Sequence, residues 1–448
     1  MKLSKTLQVA AIFAAASVSV ATAAAPKSYT LHISGSTAFR GATHNAIANI
    51  LTNPKAAYIG ASLSGASQAT FTGTIGVDNW TIQTSWSGSE AGVAATAQTT
   101  TPYPTIAFLS VAGNLETAVT KAVAPTAITG GNAITGTPVL EQAVVDVAMT
   151  DVFVASTPFH GTVGGKTYSG LVGANIAGQP GAGIVGVVPF KFIASAKNSA
   201  GKSYVPTATY DGLGNMTDSL AKNVFTKQGA VLSQFSGVAT DSSVKVYALG
   251  RDHDSGTRAG AVFCTGIDKP GTSVTAIQQY YPTDIDGNII APGDVTTKIG
   301  GVTLVPLSKV NNISYAVGAS GYASGGNLAK AFTNTFDASF KNSLFVTYLS
   351  VGDAKTALAG NAQEMTYNGV VYSPEAVKEG TYTFWAYEHL LYKSTIQNAT
   401  VSSALKATAT KIATQIAKSD AAVSGLVYDS SFHVKRNPNT VDGALVTR

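Results

Sequence analysis

The sequence predicts an α/β fold, and three observations predict it. Two segments, 28–51 and 243–266, each read as strand, Gly/Ser/Thr turn and helix. Further strand-like runs lie at 144–148 and 183–194. The last third carries helix starts and an amphipathic stripe, and the chain as a whole lacks the pattern of an all-β sandwich.

In the first unit, residues 28–34 alternate in polarity like a strand, and Gly35-Ser36-Thr37 breaks the pattern. Phe39, Ala42, Ala46, Ile47, Ile50 and Leu51 then recur at helical spacing until Asn53-Pro54 stops the helix. In the second unit, Val244–Leu249 is the strand, Gly250–Gly256 the turn, and the helix begins at Thr257. Such turns lie at the carboxyl ends of the strands in open α/β sheets, where ligands bind.

Val144–Ala148 is a third strand, ending at Met149-Thr150-Asp151. Gly183–Ala194 is an apolar, strand-like run that Pro189 and Lys191 should break. The Gly/Thr/Ser-rich stretches near 60–80, 95–140, 158–182 and 268–310 read as loops and short strands. Ser373-Pro374-Glu375 predicts a capped helix start. Leu405, Ala409, Ile412 and Ile416 form one apolar helix face. Trp385, Tyr387 and Tyr392 sit at helical spacing and read as core packing.

Composition bounds the function. A chain of 448 residues can bury sizeable cores in two or three domains. The 29 basic and 24 acidic side chains leave a small excess without a Lys/Arg cluster, which excludes nucleic acid as a partner. Cys264 is the only cysteine, so it forms no intramolecular disulfide and reads as a buried, inert thiol.

Met-Lys-Leu-Ser-Lys, the apolar run 6–20 and Ala21-Thr22-Ala23 have the order of a secretory signal peptide cleaved after about Ala23. The apolar run is shorter than the roughly 20 residues a membrane span needs. The mature protein is therefore expected to be periplasmic or secreted.

Four segments have the chemistry of an oxyanion site. Arg251-Asp-His-Asp-Ser-Gly-Thr257 offers a helix N-terminus, the hydroxyls of Ser255 and Thr257, close backbone approach at Gly256, and a bidentate donor in Arg251. Ser36-Thr37-Ala38 forms a similar turn. Ser87 to Gly92 is a third, with Ser89 as its donor. Thr150-Asp151 ends a strand, and a carboxylate there can accept a proton from a protonated ligand.

In this order, the segments resemble the phosphate-binding proteins of bacterial ABC importers. That family has a Gly-x-Thr turn, a Gly-Ser-x-Gly-Gly-like turn, an Asp-x-x-x-Ser-Asp segment and an Arg-x-Asp-Gly-Ser-Gly-Thr segment. The matches here are Ser36 to Ala38, Ser87 to Gly92, Asp146 to Asp151 and Arg251 to Thr257. Gly380-Thr-Tyr382 is similar to the family's late Gly-x-Tyr-Pro turn.

The resemblance implies a two-domain clamshell, each domain a sheet flanked by helices. The first domain would comprise 24–190 and 311–448, and the second 191–310. Phosphate or a related oxyanion would bind in the cleft to Ser36, Thr37, Ala38, Ser89, Thr150, Asp151, Arg251, Ser255, Gly256 and Thr257. An ABC importer would be the partner, and the binding protein is expected to be a monomer without cofactor or metal.

The chain departs from the family at His253 and Asp254, which stand for Asp-Gly. Asp254 brings a negative charge to an anion site; Arg40 and Arg258 are nearby positive charges that could offset it.

An enzyme is not expected. None of the six histidines lies in a close metal-ligand pair, no Gly-x-Ser-x-Gly elbow occurs, and the adjacent His253, Asp254 and Ser255 are too close in sequence for triad geometry. The remaining alternative is a surface or matrix protein that reuses the fold without transport.

Overall fold

The computed structural model describes residues 25–195, 213–226, 230–268, 277–310, 313–340, 342–360, 362–394, 399–437 and 442–448. The segment 1–23, read from the sequence as a signal peptide, lies outside these residues. The protein is a mixed α/β structure with one 15-stranded sheet and helices packed against it.

The first unit forms as the residue pattern predicts: β1 is Ser28–Gly35 and α1 is Arg40–Ile50. The chain then enters β2, Thr52–Ile59, directly. β3 (Gln68–Ile75) and β4 (Asp78–Ser85) form a hairpin, so the stretch near 60–80 is more regular than its composition predicts. Cross-strand burial of Ala69, Phe71, Trp80 and Ile82 supplies the reason. α2 is Ser89–Ala97, and β5 is Val147–Thr150.

β6, Ile184–Ser195, is one unbroken strand of 12 residues. Pro189 does not interrupt it, because the strand changes partner there. Val187–Pro189 pair with β9 (Trp385–Lys393), and Phe190–Ala194 pair with β8 (Ser343–Ser350). A residue without an N–H is tolerated where one ladder hands over to another.

Between β6 and β8 lie α3 (Asp218–Thr226), β7 (Lys245–Ala248) and α4 (Gly256–Cys264). After β8 comes α5, Val351–Ala359. The short helix Pro374–Lys378 is capped by Ser373, as predicted. Trp385, Tyr387 and Tyr392 belong to the β9 strand, where the spacing suggested a helix; β9 is covered on both faces, which removes the period-2 signal. Their core role holds for Trp385 and Tyr387, both fully buried. α6, Ala399–Lys418, buries Leu405, Ala409, Ile412 and Ile416 on one face.

The central strand order is β7-β8-β6-β9-β5-β1-β4-β3-β2. β1 runs parallel to both β4 and β5, and β7 parallel to β8; β9 is antiparallel to β5 and β6. The main apolar core spans both halves of this sheet, and a second cluster around Ile193, Leu249, Phe332 and Phe345 lies beside β8.

His44 pins α1 to the sheet. Its Nδ1 faces the Leu63 carbonyl at 2.8 Å, and its Nε2 receives the Trp86 indole N–H at 3.0 Å. Burial lowers its pKa to about 3, so the ring is neutral and part of the core. Cys264 packs against the core beside Arg436, and burial raises its thiol pKa. Among the described residues, no helix is long and apolar enough to cross a membrane.

Candidate functional site

Strand register assembles the site. Ser34 pairs with Ser85, and Gly35 with Met149, so β1, β4 and β5 end side by side. The turns that follow carry Ser36, Ser89 and Asp151. α2 is then fixed by backbone bonds from Gly88 to the Gly35 carbonyl (2.9 Å) and from Glu90 to the Asp254 carbonyl (2.9 Å). The second of these ties the Ser89 turn to the Arg251–Thr257 segment. Gly88 has φ +115°, and an added Cβ would stand 2.4 Å from that Asp254 carbonyl oxygen.

Asp151 is the centre. The Ser89 hydroxyl donates to its Oδ1, and its own amide donates to the Ser89 oxygen at 3.2 Å. The Thr257 hydroxyl reaches Oδ2 at 3.4 Å. Gly256, the first residue of α4, lies so close that a Cβ there would fall 1.6 Å from Oδ1. The Asp151 carboxyl thus faces the positive end of a helix. Burial still raises its pKa; the Ser89 bond, Arg251, its own amide and Thr257 oppose the rise.

Arg251 is 1% exposed. Its Nε donates to the Tyr322 carbonyl at 3.0 Å and its Nη2 to the Ala323 carbonyl at 3.1 Å. These bonds orient the guanidinium, and its charge acts on Asp151, Asp252 and Asp254. Ser255 caps α4 by accepting the Arg258 amide at 3.2 Å. Arg258 is buried and donates to the Ala319 carbonyl at 2.7 Å.

The remaining predicted residues have separate partners. Ser36 donates to Glu388 Oε2 at 3.1 Å. The Thr150 hydroxyl donates to the Val152 carbonyl at 2.9 Å, a local turn bond. Thr37 and Ala38 are half-buried in the turn before α1, and Ala38 packs on the main core. The structure therefore brings Ser89, Asp151, Gly256 and Thr257 into one contact group, with Ser36 beside it through Glu388.

His253 stacks on Tyr315 with ring centroids 3.8 Å apart, and its Nδ1 lies 3.3 Å from the Ser320 hydroxyl. Burial, aided by Arg258, lowers its pKa to about 4, so it is neutral near pH 7. Burial raises Asp252 to about 6. Burial, reinforced by Asp252, raises Asp254 to about 7, against Arg251 and Arg258.

Three carboxyl groups around the site were not among the predicted residues. Glu388 is fully buried on β9, Glu90 is nearly so on α2, and Asp442 accepts the Phe153 amide at 2.8 Å. Burial raises Glu388 and Glu90 well above the usual carboxylate range, and Asp442 to about 7. Glu388 had a signal: it is a carboxylate inside the apolar run Trp385-Ala-Tyr-Glu-His-Leu-Leu391. A cavity of about 690 Å³, lined by Tyr103, Asp146 and Lys393 among others, lies apart from this chemistry.

The arrangement combines hydroxyl donors, a helix N-terminus and two buried guanidinium groups with several carboxyls. An oxyanion brought here adds negative charge.

No family model matches the sequence, and no curated protein does. Among solved structures, the chain is similar to one assigned as a phosphate ABC transporter substrate-binding protein with bound phosphate from Clostridium perfringens. The identity is 13% and the TM-score 0.40, over 89% of this chain and 98% of that one. It is also similar to an ABC-type phosphate transport receptor from Vibrio cholerae, at 13% identity and TM-score 0.37, over 86% and 98% of the two chains. PstS from Borrelia burgdorferi follows at 10% identity and TM-score 0.28, over 84% and 90%.

Proposed function

We propose that this is an exported solute-binding protein that captures phosphate, or a similar protonated oxyanion, for ABC-type uptake. The observation that carries the reading is the convergence on Asp151 of the Ser89 hydroxyl, the Thr257 hydroxyl and the Gly256 end of α4. Three segments distant in sequence, around Ser89, Asp151 and Arg251 to Thr257, supply these groups and Arg251. A ligand with a proton can bond to Asp151, and its unprotonated oxygens can accept from the hydroxyls and the helix amides. No enzymatic step is assigned to the site.

The proposed clamshell has lobes that meet where β6 changes partner at Pro189 and Phe190. The first would hold 24–190 and most of 311–448, and the second 191–310. Ser343–Ser350 and Ala362–Glu364 would join the second lobe, through their pairing with Phe190–Ser195. The signal peptide would direct the protein to the periplasm or outside the cell, where it would act as a monomer.

Calorimetry with phosphate, arsenate and sulfate tests the reading. Phosphate and arsenate are expected to bind and sulfate to bind more weakly; no heat with millimolar phosphate overturns it. Asp151→Asn should reduce the preference for phosphate over sulfate. An unchanged ranking would remove Asp151 as the proton acceptor.

One observation favours a second reading, a surface or matrix protein without transport. The segment 105–144 exposes Val111, Leu115, Val123, Val139 and Leu140, side chains suited to contact with another macromolecule.

A further inference from the structure

Glu388 sits at a position no site pattern in the sequence marks. It lies on β9 opposite Gly186 of β6, and one residue beyond the Thr150–His389 pair, which places it beside Asp151. It is 0% exposed. Its Oε2 accepts the Ser36 hydroxyl at 3.1 Å, while its Oε1 is buried with no hydrogen-bond partner among the described residues. A buried oxygen without a partner is costly, and among the described residues no cation offsets a charge on this group. After burial, the charge of Asp151 is the next cause that disfavours ionisation of Glu388.

Because Oε2 accepts from Ser36, it serves as the carbonyl oxygen, and Oε1 is left to carry a proton. We propose that Glu388 is a ligand-contacting residue of the Asp151 site, where its neutral carboxylic acid donates a hydrogen bond from Oε1 to an unprotonated oxygen of the bound oxyanion. This rests on the oxyanion reading of that site and narrows its ligand. The preferred anion carries at least one hydroxyl, which donates to Asp151, and at least one bare oxygen, which accepts from Glu388. Hydrogen phosphate and hydrogen arsenate have both. Sulfate lacks the hydroxyl and satisfies Glu388 alone.

The test compares Glu388→Gln with Glu388→Met in calorimetry with inorganic phosphate. Glutamine keeps a carbonyl for Ser36 and an N–H donor; methionine keeps the volume and has neither. Glu388→Gln is expected to bind within about threefold of wild type, and Glu388→Met at least about tenfold more weakly. Should the methionine variant fail to fold, the infrared carbonyl band of a protonated carboxylic acid decides. A component of that band is expected in the wild type, lost in Glu388→Gln while the other buried carboxyls keep theirs, and shifted by phosphate.

The proposal is overturned if the methionine variant binds as wild type does, or if the glutamine variant is as weak as the methionine one. A component that is missing or unmoved by phosphate overturns it as well. In those cases wild-type binding still stands. A wild type that binds no oxyanion instead removes the reading of the whole site, and this inference with it.

Discussion

Ser89 and Asp151, 62 residues apart in the chain, hold each other by two hydrogen bonds at the carboxyl ends of adjacent parts of one sheet. The hydroxyl donates to the carboxyl, and the amide of Asp151 donates back to the hydroxyl oxygen. The pair is buried, so each partner depends on the other for solvation it no longer receives from water.

Ser89→Ala removes that hydroxyl and leaves a buried carboxyl under-satisfied. Urea unfolding is expected to show a loss of about 1–3 kcal/mol. Phosphate affinity should fall with it. A variant as stable as wild type would mean that Thr257 and the helix end suffice for Asp151.

Gly256→Ala forces a methyl group to within 1.6 Å of Asp151 Oδ1 and 2.6 Å of the Ser89 hydroxyl. Neither group can retreat into solvent, so the turn or the pair must move, at a cost of about 1–3 kcal/mol. Thermal melting should register the loss, and phosphate titration should find little binding. A variant that binds normally would place the ligand elsewhere.

Arg251→Ala is expected to weaken phosphate binding by more than about 2 kcal/mol, because it removes a charged donor from a buried site. Arg251→Lys should not restore affinity. The Nε and Nη2 atoms are held by two successive carbonyls, of Tyr322 and Ala323, and a single ammonium cannot match that fork. Full recovery with lysine would show that only the charge matters.

Asp254 gives a signed dependence on pH. Burial and then Asp252 raise its pKa from 3.8 to about 7 in the folded protein. The folded state therefore binds the proton more tightly than the unfolded chain. That contribution to stability is complete below pH 3.8 and is lost as pH rises through about 7. Asp254→Asn abolishes the loss. Its melting temperature relative to wild type should thus be higher at pH 8 than at pH 4. Equal differences at the two pH values would show that Asp254 ionises normally.

The sequence by itself determined the local units. Periodicity and turn residues located β1 with α1, β7 with α4, and the apolar face of α6; Ser373 acts as the cap predicted there, and Ser255, read as a ligand donor, caps α4. The resemblance to phosphate-binding proteins, not periodicity, grouped Ser89, Asp151, Gly256 and Thr257 with six further residues. The local pattern misread Pro189 and the β9 aromatics, because partner exchange and burial on both faces leave no period in a single strand.

Only the tertiary structure decided what surrounds Asp151. Register puts Glu388 next to it, and the tie between Glu90 and Asp254 brings α2 against the Arg251–Thr257 segment. His253 turns to Tyr315 for its stacking partner, while backbone carbonyls hold Arg251. These are relations between strands far apart in the chain, and burial at their junction sets which carboxyls keep their protons. The segment Arg251 to Thr257 brings Gly256 and the Thr257 hydroxyl to Asp151; the packing of β5, β9 and α2 decides which further carboxyls lie near that group.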